Sequence, residues 1–263
     1  MNFSIHQATN IGNRKFNQDR AAYGYSSGTL MLVLADGMGG HLKGELAAGA
    51  IVDTFTDSFE EGSSKPLVDP MRFLVDTMRN AHERIVDFSH QMGLGGFPGS
   101  TCVAALIQDN KLYWGHAGDS RLYLLRDGLV YTRTRDHSMV SQWLEAGVIN
   151  AEEARFHPHR NQITNCLGGS DEIYYMEPGG PVEIQDGDVL VLGSDGLWGP
   201  FTDKEFVDAF ALRPVEYALD DLIDSALDRE SGHSDNVTGQ AMRWGKEEPA
   251  HDTSAPVIEL LTV

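Results

Sequence analysis

Cysteine and positive charge are both scarce in this chain. Only two cysteines, Cys102 and Cys166, occur among 263 residues, and neither CxxC nor Cys/His spacing for zinc is present. We expect both to be small core residues of a protein in a reducing compartment. Lys and Arg total 20 against 39 Asp and Glu, which gives a net charge of −19. Such a surface argues against binding to nucleic acid or to anionic membranes, which require basic patches.

Long apolar runs are missing as well. No uninterrupted apolar stretch approaches the roughly 20 residues that span a membrane, and the N-terminus has no apolar signal-peptide core. The sequence has no internal repeat and no low-complexity segment, and its apolar fraction of 41% is ordinary for a globular protein. We therefore expect a soluble, cytoplasmic protein, and its length fits one large domain or two small ones. We also expect a monomer.

The apolar periodicity predicts an α+β protein. Strands are expected at 3–9, 21–25, 30–35, 101–107, 112–116, 121–125, 129–131, 173–177, 189–192 and 237–243, and helices near 47–59, 71–85, 138–146, 203–211 and 215–229. This order is not a βαβ alternation. It fits antiparallel sheets whose outer faces are covered by pairs of helices.

Two segments stand outside this pattern. Residues 136–169 contain one predicted helix and a polar stretch, and we interpret them as an excursion from the sheet that forms a flap. The predicted domain covers 1–244, and 245–263 form a C-terminal tail. The apolar end of the tail, 257–263, is either a packed strand or a docking peptide, and a packed strand is favoured.

Four aspartates lie where a predicted strand meets a loop: Asp36, Asp119, Asp195 and Asp235. A fifth, Asp19, lies just before another strand. Ordinary Asp-Gly turns are the alternative interpretation, but Asp36 and Asp195 each close a strongly apolar strand. Carboxylates gathered in space repel one another unless cations lie between them. Oxygen ligands of this kind favour Mn²⁺ or Mg²⁺, so the sequence predicts a hard-metal site.

Glycines and an arginine add to this prediction. Gly37 and the glycines at 39 and 40 allow a sharp turn after Asp36, and they leave the Gly37 carbonyl free to bind a cation. Arg14 precedes Asp19 by five residues and offers a planar fork for two phosphate oxygens. Two cations about 3.5–4 Å apart can acidify a shared water that attacks phosphorus. No serine or cysteine nucleophile is then required, and no G-x-S-x-G motif is present.

Five ordered motifs carry a resemblance to a known family. They are Arg14…Asn17-Gln18-Asp19, Ala35-Asp36-Gly37-Met38-Gly39-Gly40-His41, Gly118-Asp119-Ser120-Arg121, Gly193-Ser194-Asp195-Gly196-Leu197-Trp198 and Asp235-Asn236-Val237-Thr238. Together they resemble the metal-dependent serine/threonine protein phosphatases of type 2C in their bacterial form. The flap motifs, including Asp136-His137-Ser138 and His157-Pro158, are similar too, and the resemblance covers Ile5 to about Arg243.

The resemblance implies a four-layer α/β/β/α sandwich and a division of labour at the site. Asp36 would bridge two cations, with the Gly37 carbonyl on one, and Asp195 and Asp235 on the other. Asp19 would act through bound water, and Asp119 would join Asp195 at a third, weaker cation. Arg14 would bind the substrate phosphate.

The implied activity is hydrolysis of phosphoserine and phosphothreonine on proteins by a metal-activated water. The partners would be phosphorylated proteins, the substrates of a Ser/Thr kinase. A non-catalytic phosphoprotein-binding regulator on the same fold and a small phosphate-ester hydrolase are the alternatives.

The chain departs from eukaryotic members at two positions. Met38 stands where they have a histidine that is a proposed proton donor, and Gln18 replaces a common glutamate. Bacterial relatives share both features. Because a thioether cannot donate a proton, the general acid would be His41 or a metal-bound water.

Overall fold

A computed structural model describes residues 1–38, 44–62, 65–172, 175–211, 213–246 and 248–261. In this part of the chain two antiparallel sheets face each other. The first has the strand order β1 (Phe3–Asn10), β12 (Val237–Trp244), β11 (Val189–Gly193), β7 (Arg121–Arg126) and β8 (Leu129–Arg133). The second has the order β10 (Glu177–Glu183), β6 (Lys111–Ala117), β5 (Cys102–Gln108), β3 (Thr29–Met38), β2 (Asp19–Ser26) and β13 (Val257–Leu260). Two short strands, β4 (Gly99–Ser100) and β9 (Leu167–Gly168), continue from the end of β3.

Two pairs of helices cover the outer faces of the sheets. The helices of the described residues are α1 (Gly44–Gly62), α2 (Pro70–Gln91), α3 (Met139–Glu145), α4 (Ala151–Arg155), α5 (Asp195–Trp198), α6 (Asp203–Phe210) and α7 (Val215–Arg229). The pair α1 and α2 packs on the second sheet, and α6 and α7 pack on the first. The predicted four-layer α/β/β/α sandwich is therefore confirmed. None of the helices in the described part of the chain has the length and apolar character of a membrane span.

The central strand β3 shows why the sequence folds in this way. Its leucines at 30, 32 and 34 point into the core between the two sheets. The alternate residues Met31, Val33 and Ala35 pack against the helices on the other face. Since successive side chains of a strand point to opposite faces, a continuous apolar run suits a strand that is covered on both sides. The apolar sequence thus fixes β3 in the middle of the sandwich.

One predicted strand was misplaced. The sequence pattern predicted a strand at 173–177; Ile173 and Tyr174 lie outside the described residues, and the observed strand β10 runs from Glu177 to Glu183. It contains Pro178, Gly179, Gly180 and Pro181, and its pairing with β6 is interrupted by a register shift. Proline and glycine are tolerated here because β10 is an edge strand. This composition hides the strand from an analysis of apolar alternation.

The flap segment, defined here as residues 136–169, contains a helix that the sequence pattern did not predict. The short helix α4 begins with a capping box, in which the Asn150 side chain accepts N–H bonds and Glu153 bonds back to the Asn150 N–H. No residue of α4 is buried, so its apolar periodicity is too weak to detect.

The C-terminal tail does end in a packed strand. Residues 257–260 of β13 pair with β2 in antiparallel register, and Leu261 N–H donates to the Ala21 carbonyl at 2.9 Å. Upstream, the His251 ring stacks on Phe3 with ring centroids 4.0 Å apart. The favoured interpretation of the tail end is confirmed for 257–260, whereas 262 and 263 lie outside the described residues. The domain division at residue 244 stays a prediction.

Candidate active site

Strand pairing brings the strand ends that adjoin these aspartates to one rim of the first sheet. Asn10 of β1 pairs with Val237 of β12, so the loop with Arg14 lies beside the segment with Asp235. Gly193 at the end of β11 pairs with Arg121 at the start of β7. The residues just outside these strand ends, including Asp195 and Asp119, therefore share the same rim.

The second sheet supplies Asp19 and Asp36, which are direct partners in the register of β2 and β3. A hydrogen bond links the two sheets at this rim, because the Ser194 hydroxyl donates to Asp19 Oδ2 at 3.0 Å. Asn236 makes a second link, in which its Oδ1 accepts the Gln18 N–H at 2.8 Å. The carboxylates thus meet at the seam between the two sheets.

The backbone around Asp36 is closely held. Its N–H donates to the Thr101 hydroxyl at 3.0 Å, and its carbonyl accepts the Ser100 hydroxyl at 2.9 Å. A Cβ on Gly37 would lie 2.3 Å from the Gly44 carbonyl oxygen. The first turn of α1 therefore packs directly on the Gly37 backbone, and only glycine fits there.

Two carboxylate oxygens at the seam lack a hydrogen-bond donor. Asp19 is fully buried, and neither its Oδ1 atom nor Asp195 Oδ1 has a partner among the described residues. Buried polar atoms are nearly always paired, so each unpaired oxygen requires an explanation.

The pKa values of the carboxyls show the same imbalance. Burial raises the pKa of Asp19 to about 6, and the nearby charge of Asp235 adds to the rise. Burial and then the charges of Asp19 and Asp195 hold the pKa of Asp36 well above its ordinary value. For Asp195 the order is burial, then Asp119 and Asp235.

Asp119 is part of the same electrostatic group. Burial raises its pKa to about 7, and the charges of Asp136 and Asp235 act in the same direction. The five aspartates therefore repel one another across the seam. Unpaired oxygens and mutual repulsion are what a site for hard cations shows when it is considered without them, so the donor set fits divalent ions.

Arg14 is paired with one carboxylate of this group. Its Nη2 donates to Asp235 Oδ2 at 2.6 Å, and 58% of its side chain is exposed. One carboxylate of the cluster is therefore already paired with a guanidinium that solvent and ligands can reach.

A family model described as protein phosphatase 2C matches residues 6–227. The chain belongs to the protein phosphatase 2C family. It is 30% identical over 243 residues to the protein phosphatase PhpP of Streptococcus pneumoniae, covering 91% of this chain and 97% of that one.

Solved structures agree with this assignment. The serine/threonine phosphatase PstP/Ppp of Mycobacterium tuberculosis superposes with a TM-score of 0.81 at 30% identity, covering 94% of this chain and 100% of that chain. The catalytic domain of PstP in complex with two manganese ions gives a TM-score of 0.79 at 29% identity over 93% of this chain and 99% of that chain. The family model spans four of the five motifs that carry the resemblance, and the motif at 235–238 lies beyond its last matched residue.

Two residues of the quoted motifs make contacts that the sequence did not predict. Asn236 is buried, and its Nδ2 donates to the carbonyls of Ile11 and Phe16, so it fixes the loop with Arg14. The Trp198 Nε1–H donates to the Asp119 carbonyl at 3.1 Å. The signal for Asn236 was its position next to Asp235. No local pattern pointed to the Trp198 contact, which joins residues 79 apart in sequence.

Asp127 and Asp186 also precede a glycine, but they lie outside the seam. Asp127 belongs to the hairpin between β7 and β8 and has a φ of 52°. Asp186 lies before β11, at the opposite end of that strand from Asp195. His41, a candidate general acid, lies outside the described residues.

The turn that carries Asp119 depends on a glycine. Gly118 has a φ of +108°, and a Cβ there would lie 2.6 Å from Thr101 Cγ2. We expect Gly118→Ala to lower the free energy of unfolding by about 3 kcal/mol, because it adds backbone strain to a clash with a buried side chain. Urea denaturation would measure the loss. Gly128→Ala is the matched control, since it has a φ of +72° but nothing within 4 Å of its Cβ, and should cost only about 1–2 kcal/mol. Equal losses in both variants would contradict the packing argument.

Proposed function

We propose that this chain hydrolyses phosphoserine and phosphothreonine on proteins and depends on Mn²⁺ or Mg²⁺ for this activity. The observation that carries the proposal is the convergence of carboxylates from both sheets beside an exposed guanidinium. Two of the buried carboxylate oxygens find no donor within the described part of the chain. The family of the chain and the activities named for its relatives support it.

The residues proposed to hold two cations are Asp36, the Gly37 carbonyl, Asp195 and Asp235, with Asp19 acting through water. Asp119 and Asp195 are proposed for a third, weaker ion. When bound, the ions supply a water acidic enough to attack phosphorus near neutral pH and offset charge on the phosphoryl oxygens. The fit rests on the repulsion among these carboxyls and on the unpaired Asp19 and Asp195 oxygens.

Arg14 is proposed to bind the substrate phosphate. Its guanidinium can make two parallel hydrogen bonds to phosphate oxygens, and its exposure leaves room for a bulky phosphoprotein. The Asp235 contact holds the side chain against the rim before substrate arrives. Met38 follows Gly37 in the chain and provides no proton for the departing serine or threonine oxygen.

We expect Arg14→Ala to raise the KM for a phosphopeptide about tenfold and to change kcat much less, since it removes a binding contact and no group that attacks phosphorus. Steady-state kinetics with a phosphothreonine peptide would measure both constants. Arg14→Lys keeps the positive charge but loses the planar guanidinium. Its KM should lie between those of the wild-type protein and Arg14→Ala. A large drop in kcat at unchanged KM would contradict the assigned role.

The proposed function can be tested with one phosphopeptide and its chemical relatives. Release of inorganic phosphate should require Mn²⁺ or Mg²⁺, stop with excess EDTA and return when the metal is restored. Phosphotyrosine peptide and free phosphorylated metabolites serve as comparison substrates. Faster turnover of the metabolites would favour a small-ester hydrolase. Metal-dependent binding of the phosphopeptide without phosphate release would favour a non-catalytic regulator.

A further inference from the structure

A second group of titratable side chains lies beside Gly118, the residue that precedes Asp119. The ligand atoms of His116, His137 and Glu177 all lie within 4.8 Å of one another. His116 and His137 are buried, and their rings stack with centroids 4.5 Å apart. Two imidazoles and a carboxylate suggest a transition-metal site at first sight.

Hydrogen bonding to His137 argues against such a metal site. Its Nδ1 atom accepts the Gly118 N–H at 3.2 Å and an N–H of the Asn165 amide at 2.9 Å. A nitrogen that accepts hydrogen bonds carries no proton, so the proton of the neutral ring is on Nε2. Nε2 lies 3.2 Å from Glu177 Oε2 and donates to it. His137 therefore has no free lone pair to offer a metal.

His116 has only one ring nitrogen whose lone pair is free to bind a metal. Its Nε2 lies 2.7 Å from the Arg135 carbonyl, which can only accept, so the ring proton is on Nε2. Its Nδ1 is buried without a partner among the described residues. One imidazole nitrogen and one carboxylate do not complete a transition-metal site.

The hydrogen bonds of His137 show instead that it holds the Gly118 backbone. Its backbone N–H donates to the Gly118 carbonyl at 3.0 Å, so residue 137 binds both polar groups of the Gly118 backbone. Gly118 directly precedes Asp119, whose carbonyl is held on the other side by Trp198. The Trp198 ring in turn lies under the Arg121 guanidinium at 3.4 Å.

His137 is also bound to both ends of the flap region. Its carbonyl accepts the Thr164 N–H at 2.7 Å, and Asn165 donates to the Tyr175 carbonyl as well as to the ring. Arg121 forms a two-pronged ion pair with Asp136, the residue before His137. The flap segment and the Asp119 turn are therefore joined at Asp136 and His137, and the imidazole is the side chain that binds the Gly118 N–H.

We propose that His137 is a positioning residue that holds Gly118, and through it Asp119, in register with the flap segment, with its ring fixed in the Nε2–H form by Glu177. The effect on cation binding rests on the proposed function, because Asp119 is a proposed ligand. The hydrogen-bond assignment does not, and it can be tested in metal-free protein.

The first test needs no substitution. In protein treated with EDTA, ¹⁵N chemical shifts should show that Nδ1 of His137 is unprotonated and that Nε2 carries the proton. A proton on Nδ1 would overturn the proposal. Loss of the Nε2 proton signal on adding Zn²⁺, with shifts at both His116 and His137, would overturn it in favour of a metal site.

The second test uses hydrogen exchange at the Gly118 amide. His137→Leu removes the acceptor, and exchange at Gly118 should speed up about tenfold or more. His137→Asn places an oxygen where Nδ1 was and should restore most of the protection. His82→Leu is the matched control, since His82 Nδ1 accepts the Gly168 N–H at 3.0 Å; it should deprotect Gly168 and leave Gly118 unchanged. Unchanged exchange at Gly118 in a folded His137→Leu protein would overturn the proposal.

The third test asks whether the hydrogen bond between His137 and Gly118 affects cation binding. Calorimetric titration with Mn²⁺ should show the weakest-bound ion bound about tenfold less tightly in His137→Leu than in His137→Asn. Equal affinities would overturn the link to Asp119. Failure of the wild-type protein to release phosphate from a phosphopeptide would count against the proposed function alone, since ring protonation and amide exchange would be unaffected. If His137→Leu does not fold, the ring shifts of the wild-type protein decide the question.

Discussion

Asp36→Asn should abolish metal-dependent turnover of a phosphopeptide, with a fall in kcat of about a thousandfold or more. Asp36 is the proposed bridging ligand, and an amide oxygen carries no charge to hold two cations. The same change should stabilise the metal-free protein by about 1–2 kcal/mol, because it removes a carboxylate that its neighbours repel. Phosphate release and urea denaturation in EDTA would measure the two effects.

The opposite signs of these effects separate them from simple misfolding, which would lower activity and stability together. Asp127→Asn provides the matched control, because Asp127 also precedes a glycine but lies in an exposed hairpin turn where asparagine is well tolerated. It should change neither quantity. Near-normal activity in Asp36→Asn would show that the site is assigned to the wrong residues.

Removal of cations should reverse the dependence of stability on pH. In the metal-free protein, the folded state holds protons on Asp19 and Asp119 up to pKa values of about 6 and about 7. The unfolded chain releases them near pH 4. Because the folded state then binds more protons than the unfolded state, the free energy of unfolding falls as pH rises from about 4 to about 7. The rise at Asp19 alone corresponds to about 3 kcal/mol.

With saturating Mn²⁺ we expect the opposite trend, since cations bind deprotonated carboxylates and compete with protons. Denaturation curves at pH 5, 6 and 7, in EDTA and in Mn²⁺, would show both slopes.

Burial lowers the pKa of His82 and of His116, which makes stability rise with pH near their titration. This contribution is common to wild-type and Asp36→Asn protein. The difference between the two metal-free proteins should therefore still shrink toward low pH, and a constant difference would contradict the repulsion argument.

The parts of the fold that the sequence predicted are those with strong periodicity. The apolar run of β3 and the amphipathic faces of α1, α2 and α7 were clear, because burial on one or two faces dictates the residue types. The edge strand β10 and the short helix α4 were not. Prolines and glycines obscure the first, and a capping box specifies the second with no buried residue.

The candidate site divides in the same way. Aspartates at strand ends could be selected from the sequence, because antiparallel pairing brings alternate strand ends to one rim. The family resemblance, which the comparisons confirm, supplied their proposed roles. The supports around them could not be predicted: Asn236 contacts Ile11, and His137 contacts Gly118, across long stretches of chain. Such contacts depend on how the two sheets stack, which residue spacing alone does not determine.

The seam between the sheets has a mechanical consequence. Asp19 and Asp36 are anchored in one sheet and Asp195 and Asp235 beside the other, so a small sliding of one sheet over its neighbour would separate the two halves of the centre. The interlocked leucine layer between the sheets, including Leu32 and Leu192, resists that sliding together with the hydrogen bonds across the seam. The alignment of the proposed metal ligands therefore depends on how apolar side chains pack deep in the sandwich.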